Sequence, residues 1–446
     1  MAAKPLTPAD VSRLLGRVAF GATGADLDQW TGKAYADLVE SLLEPAALRA
    51  PAPLPDDARR LALQQGVTTD AAEARRWWLE RMRTTPFPLV ERMTLLWHGH
   101  FATGVRYPPT VGQLVRQNQT LRANALGSFR TMVEQLTIDP AMLVWLNGYE
   151  NAVPHPHENY AREFFELFTL GKRPQVYTEK DIREAARAFT GWYVDANDAV
   201  SFSAGRHDTK SKKVLGRTVG NLGDAEYKEL VDVALDQPVA ARFVAWKLVA
   251  NLAYLPNVPN LLKSNDALVN AVANALRGSD FDIATGLRAL LMSDDFRYAP
   301  ASQGRQLVRQ PVEAMVHAAK ALGVAFDDGS LVWQLERMGQ ALFNPVNVGG
   351  WPLGRDWLTP VTAVARYDAG ITLYNLAVKG TNATLAPLPA PEDLTAWAHR
   401  LGLWGFGTNT KNAVENYLRR TPTAGVPART AGVLTLLLSS PEWVVL

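Results

Sequence analysis

The sequence predicts an all-α protein: a multi-helix globular array carrying one small β-hairpin insertion at about residues 192–219. Three observations carry this expectation. Apolar residues recur at three- and four-residue spacing along most of the chain. Helix-start signals precede several of these runs. Strand-like patterning is confined to one short stretch. A fixed-period repeat is absent, so a regular solenoid is not expected.

The first helix start is Thr7-Pro8-Ala9-Asp10, a capping Thr, a first-turn Pro and an acid three residues after the cap. Val11, Leu14, Leu15 and Val18 follow at helical spacing. Helical patterns cover about 70–84, 86–99 and 110–137. Asp139-Pro140 repeats the cap-plus-Pro device ahead of Met142, Leu143 and Leu146. A pattern at about 158–170 is followed by a third start, Thr178 with Asp181, where Glu or Gln would be commoner than Asp. Then Trp192-Tyr193-Val194 and Val200-Ser201-Phe202 flank the turn Asp195 to Asp198, and Val214-Leu215-Gly216 offers a third short strand. Helical patterns resume at about 224–252, 260–277, 281–292, 309–322, 329–342 and 362–378. The last lie near 392–401, 409–419 and 427–439. Ala/Pro-rich 45–57 and Pro/Ala-rich 380–392 read as linkers. We expect a main helical domain over 8–380, hairpin included, and a C-terminal helical extension over 381–446 packed on it.

Composition bounds the function classes. The chain has 446 residues, 47% hydrophobic and 20% charged, which is a globular composition. Its 46 basic and 44 acidic residues leave a net charge of +2, which gives no electrostatic argument for a nucleic-acid partner. With no cysteine, disulfides, thiolate nucleophiles, iron–sulfur clusters and Cys-ligated zinc are excluded. The opening residues show no apolar stretch behind a basic start, and Ala431 to Leu438 is too short to span a bilayer. We therefore expect a soluble, cytoplasmic protein with no membrane partner.

Five constellations can carry chemistry. Trp97-His98-Gly99-His100-Phe101 ends an amphipathic run. Residues two apart sit roughly 200° apart on a helix, but a helix end at Gly99 would let both imidazoles converge. Further on, Asn159, Glu163 and Glu166 form one polar stripe beside Phe164, Leu167 and Phe168. Two carboxylates three apart suit helix-bundle metal sites or an acid–base pair. Ordinary i,i+4 pairing of Arg162 with Glu158 and Glu166 is the plain structural reading. Arg183 and Arg187 share a face one turn apart, and antiparallel packing would bring them to Glu163 and Glu166. His207 and Asp208 stand beside three lysines in the hairpin region, as an anion binder, a general base or a solvated loop. Asn344 to Trp357 reads as a rigid aromatic-anchored loop. Gly349-Gly350 allows close backbone approach, Asn344 and Asn347 cap turns or bind ligand, and Trp351 and Trp357 are pocket-wall candidates. His155 and His157 form a second His-x-His between prolines.

Together these segments resemble bacterial domain-of-unknown-function family 1800. The resemblance rests on Arg13 to Gly24, Glu91 to Thr103, Gln117-Asn118-Gln119 with Leu121-Arg122, and Asp139 to Leu143. It continues through Glu158 to Gly171, Arg183 to Trp192, His207-Asp208 with Leu215-Gly216, and Asn344 to Trp357. It runs from about residue 8 to the end. The family pattern takes in His98, His100, Asn159, Arg162, Glu163, Glu166, His207 and Asp208, but not His155 or His157, which are dropped as site candidates. It implies no activity. It implies relatives that are often exported and a sulfatase-like partner protein.

Two functions follow as expectations. One is a metal-dependent hydrolytic or oxidative enzyme, with His98, His100, Glu163 and Glu166 holding iron, manganese or zinc. Glu163, Glu166, His207 and Asp208 would be its catalytic groups, the last two as a lid. Arg162, Arg183, Arg187, Asn347 and Trp351 would bind a cofactor or anion. The other is a scaffold or partner-binding protein, in which the Glu/Arg/His cluster is a buried structural network. A metal-independent hydrolase or carbohydrate-active enzyme using Glu163 and Glu166 ranks third, because two acids on one helix turn sit on the same side of a substrate, whereas glycoside chemistry wants them flanking the bond.

Overall fold

The computed structural model describes residues 5–44, 68–105, 109–172, 175–257, 260–263, 265–298, 306–327, 329–379 and 387–446. The expected linker at 45–57 lies outside the described residues, as does 380–386 of the second. The described chain is a helical array, as the periodicity predicts, with two small antiparallel strand pairs.

The local start signals act as read. Thr7 and Thr178 each close a capping box with the Asp three residues on, so Asp serves where Glu is commoner. Asp139 accepts from Met142 N at 3.0 Å and caps Pro140–Trp145. Two long patterns break. The run 110–137 divides into Val111–Ala123 and Phe129–Thr137, the second capped by Ser128. The run 224–252 divides at Pro238, which lacks the N–H that would continue Glu226–Leu235.

The insertion is two hairpins rather than one. Strands β1 (Trp192–Val194) and β2 (Val200–Phe202) pair in the register Trp192 to Phe202. Strands β3 (Lys212–Val214) and β4 (Arg217–Val219) pair around Leu215-Gly216. Both turn residues have positive φ, 50° and 83°, as a two-residue primed turn requires. Leu215 and Gly216, read as strand in the sequence, are therefore the turn.

Two apolar cores meet along helix Pro88–His100. Leu89, Met93, Leu96 and Trp97 join a core built from residues 6–43 and 121–296. Leu95 joins a second core that includes helix Thr68–Thr84 and residues 308–444. Polar groups on this helix are buried with it. Glu91, 1% exposed, accepts from Arg81 Nε (2.7 Å), Arg122 Nε (2.5 Å), Arg122 Nη2 (2.9 Å) and Trp78 Nε1 (3.0 Å). Burial raises its pKa, and Arg122 and Arg81 more than offset that, leaving it below the ordinary carboxylate range. No helix among the described residues is long and apolar enough to cross a membrane.

Candidate functional site

Helix Pro88–His100 runs on through Gly99. The two imidazoles therefore leave it on different sides, as a 200° separation dictates. His98 packs among Trp78, Phe343 and Trp351, with ring centroids 5.2–5.4 Å apart. Its Nε2 accepts from Phe343 N at 3.2 Å, and burial pushes its pKa down to about 3. His100 faces Phe101, Phe129, Phe168 and Phe243.

The acidic helix does approach His100, but through its backbone. Asn159–Glu163 continues as a π-helical turn, Phe164–Thr169, that buries Phe164, Phe165 and Phe168. A last-turn carbonyl has no partner within its own helix. The Phe168 carbonyl accepts from His100 Nε2 at 3.0 Å. Glu163 and Glu166 remain half-buried on the other side. Burial, and then Glu166, raise the Glu163 pKa. Arg162 pairs with Glu179 (2.8 Å), Glu158 (3.2 Å) and, loosely, Glu166 (3.9 Å). Among the described residues, no group of three or more His, Asp or Glu side chains is placed to hold a metal ion. The expected four-ligand set of His98, His100, Glu163 and Glu166 is thus not gathered. The cause is the uninterrupted helix at Gly99.

The arginine expectation is also redirected. Arg187 pairs with Asp208 (2.8 Å) and Glu184 (2.9 Å) instead of Glu163. Arg183 is exposed. Asp208 is held down to about 2 by that Arg187 hydrogen bond. His207 is buried and spans the Thr190 carbonyl (2.8 Å, Nδ1) and Glu226 (3.0 Å, Nε2), while Glu226 also meets buried Lys212 at 2.5 Å. These contacts tie the hairpins to helices Glu179–Ala188 and Glu226–Leu235.

What the fold brings together is the His98-Gly99-His100 helix end and the Asn344–Trp351 loop. Gly350 has φ +88°, and a Cβ there would stand 2.0 Å from the Gly99 carbonyl oxygen. A Cβ on Gly99 would in turn meet the Trp351 ring at 3.4 Å. The two glycines let the backbones close against each other. Asn347 is exposed and builds the turn, its Oδ1 accepting from Gly349 N at 2.8 Å.

Beneath this junction is a notch of about 30 Å³, room for one small polar group. Gly99, His100, Gly349 and Trp351 line it together with Arg92, Lys247, Asn251 and Gln310. Several of these residues carry buried polar atoms without a partner. His100 Nε2 donates to the Phe168 carbonyl, so neutral His100 holds a lone pair at Nδ1, which is buried without a donor. Burial, then the Lys247 charge, hold the His100 pKa well below its ordinary value, so the ring is neutral at physiological pH. Arg92 is 1% exposed. It meets the Asn251 carbonyl (2.7 Å) and Glu313 (2.6 Å) through Nη2, leaving Nε and Nη1 unpartnered. The Trp351 indole N–H is likewise buried and unpartnered.

Lys247 supplies the open charge. It lies on helix Pro238–Leu252, half-buried, its Nζ 5.5 Å from the Phe243 ring centroid and 6.0 Å from that of Trp246. Among the described residues no carboxylate pairs with it, and burial pushes its pKa down to about 8. Sequence reasoning missed Lys247, Arg92, Asn251 and Gln310. The available signal was one Lys inside the apolar run Phe243 to Leu252.

Comparison with curated proteins and with solved structures gives no match. A family model described as Protein of unknown function (DUF1800) matches residues 13–445, nearly the whole chain. The segments that meet at the notch all fall inside that match, and the chain belongs to the DUF1800 family.

Proposed function

We propose that this protein binds a small hydroxycarboxylate at the Gly99–Gly350 notch, with His100 and Lys247 as its polar contacts. One observation carries the reading: residues that line the same cavity carry an ammonium without a carboxylate partner and an imidazole lone pair without a donor. Buried polar atoms without partners are costly, so a pocket that holds several is suited to a ligand that satisfies them. The ligand's anionic group faces Lys247, Arg92 and the Trp351 N–H. Its hydroxyl donates to His100 Nδ1. The carboxylates Glu163 and Glu166 take no part.

The probes are glycolate, acetate and glycolamide, compared by isothermal titration calorimetry at pH 7. Glycolate is expected to bind more tightly than acetate, which lacks the hydroxyl, and than glycolamide, which lacks the charge. Lys247→Met should weaken glycolate by about ten-fold or more, the scale of one charged hydrogen bond. His100→Phe should bring glycolate down to the level of acetate. Affinity should fall as pH rises through about 8, because the ammonium is the form that binds. Equal binding of the three probes, or binding that survives Lys247→Met, would exclude this reading.

A further inference from the structure

A second site, sharing no lining residue with the notch, is built around Trp404. Helix Leu394–Arg400 turns back at Gly402, whose φ is +63° and whose Cβ would stand 1.9 Å from the Ala22 carbonyl oxygen. The loop beyond is pinned at both ends. Leu403 N donates to the Ala398 carbonyl at 2.8 Å, and Gly407 N donates to Glu442 Oε1 at 2.9 Å. Leu403 and Phe406 are buried. Between these anchors Trp404 is 70% exposed, the most exposed large apolar side chain among the described residues. A lone exposed apolar residue is ordinary on a protein surface. Trp404 differs in its setting. With Leu403 and Gly405 it forms the wall common to two open clefts, of about 720 and 570 Å³. Each volume is that of a small-molecule site.

The chemistry of the two clefts narrows the occupant. The first carries Asp28 and Lys411, with His399 Nε2 3.0 Å from Asp28 Oδ1. The second carries Arg13 and Glu442. Each cleft therefore sets a carboxylate beside a cation, and an ionic ligand of either sign would meet its own sign in both. A purely apolar ligand would take these charged groups out of water and return no hydrogen bond. A peptide recognised through its backbone adds to a strand edge, and no residue of β1 to β4 lines either cleft. A neutral polyhydroxylated ring meets the whole lining. Its C–H face covers the indole, and its hydroxyls donate to the carboxylates and accept from the cations.

We propose that Trp404 is the stacking platform of a saccharide site, which holds a neutral oligosaccharide with one ring over the indole and the neighbouring rings in the two clefts. The pinned loop presents the indole without an ordering cost at binding. Because the clefts abut at Trp404 and both are open, the site takes an internal stretch of a sugar chain. A disaccharide fills one cleft only and makes fewer of the available hydrogen bonds.

Isothermal titration calorimetry of the 446-residue chain with cellotetraose, maltotetraose and chitotetraose tests this. At least one tetrasaccharide is expected to bind, and its disaccharide to bind about ten-fold more weakly. Trp404→Ala should weaken that tetrasaccharide by about ten-fold or more and leave thermal unfolding unchanged, since the ring is exposed. Trp404→Phe keeps an aromatic face and should stay within about three-fold of wild type. Asp28→Ala, on the wall of the first cleft, should also weaken binding, and it covers a failure of the Trp404 variants to fold. Three results overturn the proposal. One is no heat from any of the three sugars at about 10 mM. Another is binding that Trp404→Ala and Asp28→Ala both leave intact. The third is tighter binding of tetraalanine than of every sugar.

Discussion

Gly350→Ala is expected to destabilise the protein by ~3 kcal/mol or more and to abolish glycolate binding. Two effects add at this position. The backbone sits at φ +88°, where an L side chain is strained by about 1–2 kcal/mol. The new Cβ would also stand 2.0 Å from the Gly99 carbonyl oxygen, well inside contact distance. That neighbour is helix backbone and cannot rotate away. Relief comes from the loop lifting off the helix end, and that movement takes Trp351 out of the notch. Denaturant unfolding and calorimetry on one sample read both consequences. Gly349→Ala is the control. Gly349 is exposed, has no positive φ, and its nearest recorded neighbour is the Asn347 side-chain oxygen at 3.0 Å. Equal stability of Gly350→Ala and wild type would show that the two segments are not in contact as described.

Glu91→Gln is expected to cost about 3–5 kcal/mol, the range for breaking a buried ion pair and leaving its partner uncompensated. The Glu91 carboxylate accepts four hydrogen bonds from Arg81, Arg122 and Trp78, and an amide can accept at only one of its two ends. Arg122 would then remain buried without its counter-charge. The same pair carries a pH dependence. The Glu91 pKa is lowered in the folded state, so its contribution is complete above the unfolded value. It is lost as pH falls through the folded value, below the ordinary carboxylate range. Acid unfolding of wild type should therefore include a component that Glu91→Gln lacks. A variant within 1 kcal/mol of wild type at pH 7 would contradict the buried network.

Local signals were legible and long-range ones were not. Thr7, Asp139 and Thr178 cap helices because a side-chain oxygen meets a backbone N–H three residues away, and that geometry is written in adjacent residues. The run 224–252 read as continuous because its apolar spacing persists, although Gln237-Pro238 already carried the start signal that divides it. The His-x-His motif pointed to a metal because Gly99 permits a helix end. In the fold Gly99 serves close packing instead, and the ring directions follow from the helix that continues. Its true partner, Gly350, is 251 positions away, beyond any periodicity argument. Lys247 was not singled out in the sequence, because its surroundings include Gly349 and Trp351, about a hundred positions away.

The central claim is that Lys247 stands unpaired in the notch and awaits an anion. The most direct measurement is a pH titration of the protein with its lysines ¹³C-dimethylated, followed by NMR with and without glycolate, the Lys247 signal being assigned by its loss in Lys247→Met. The account predicts a midpoint near 8 that moves upward when glycolate is present. A Lys247 midpoint at the ordinary lysine value, unmoved by glycolate, would contradict it.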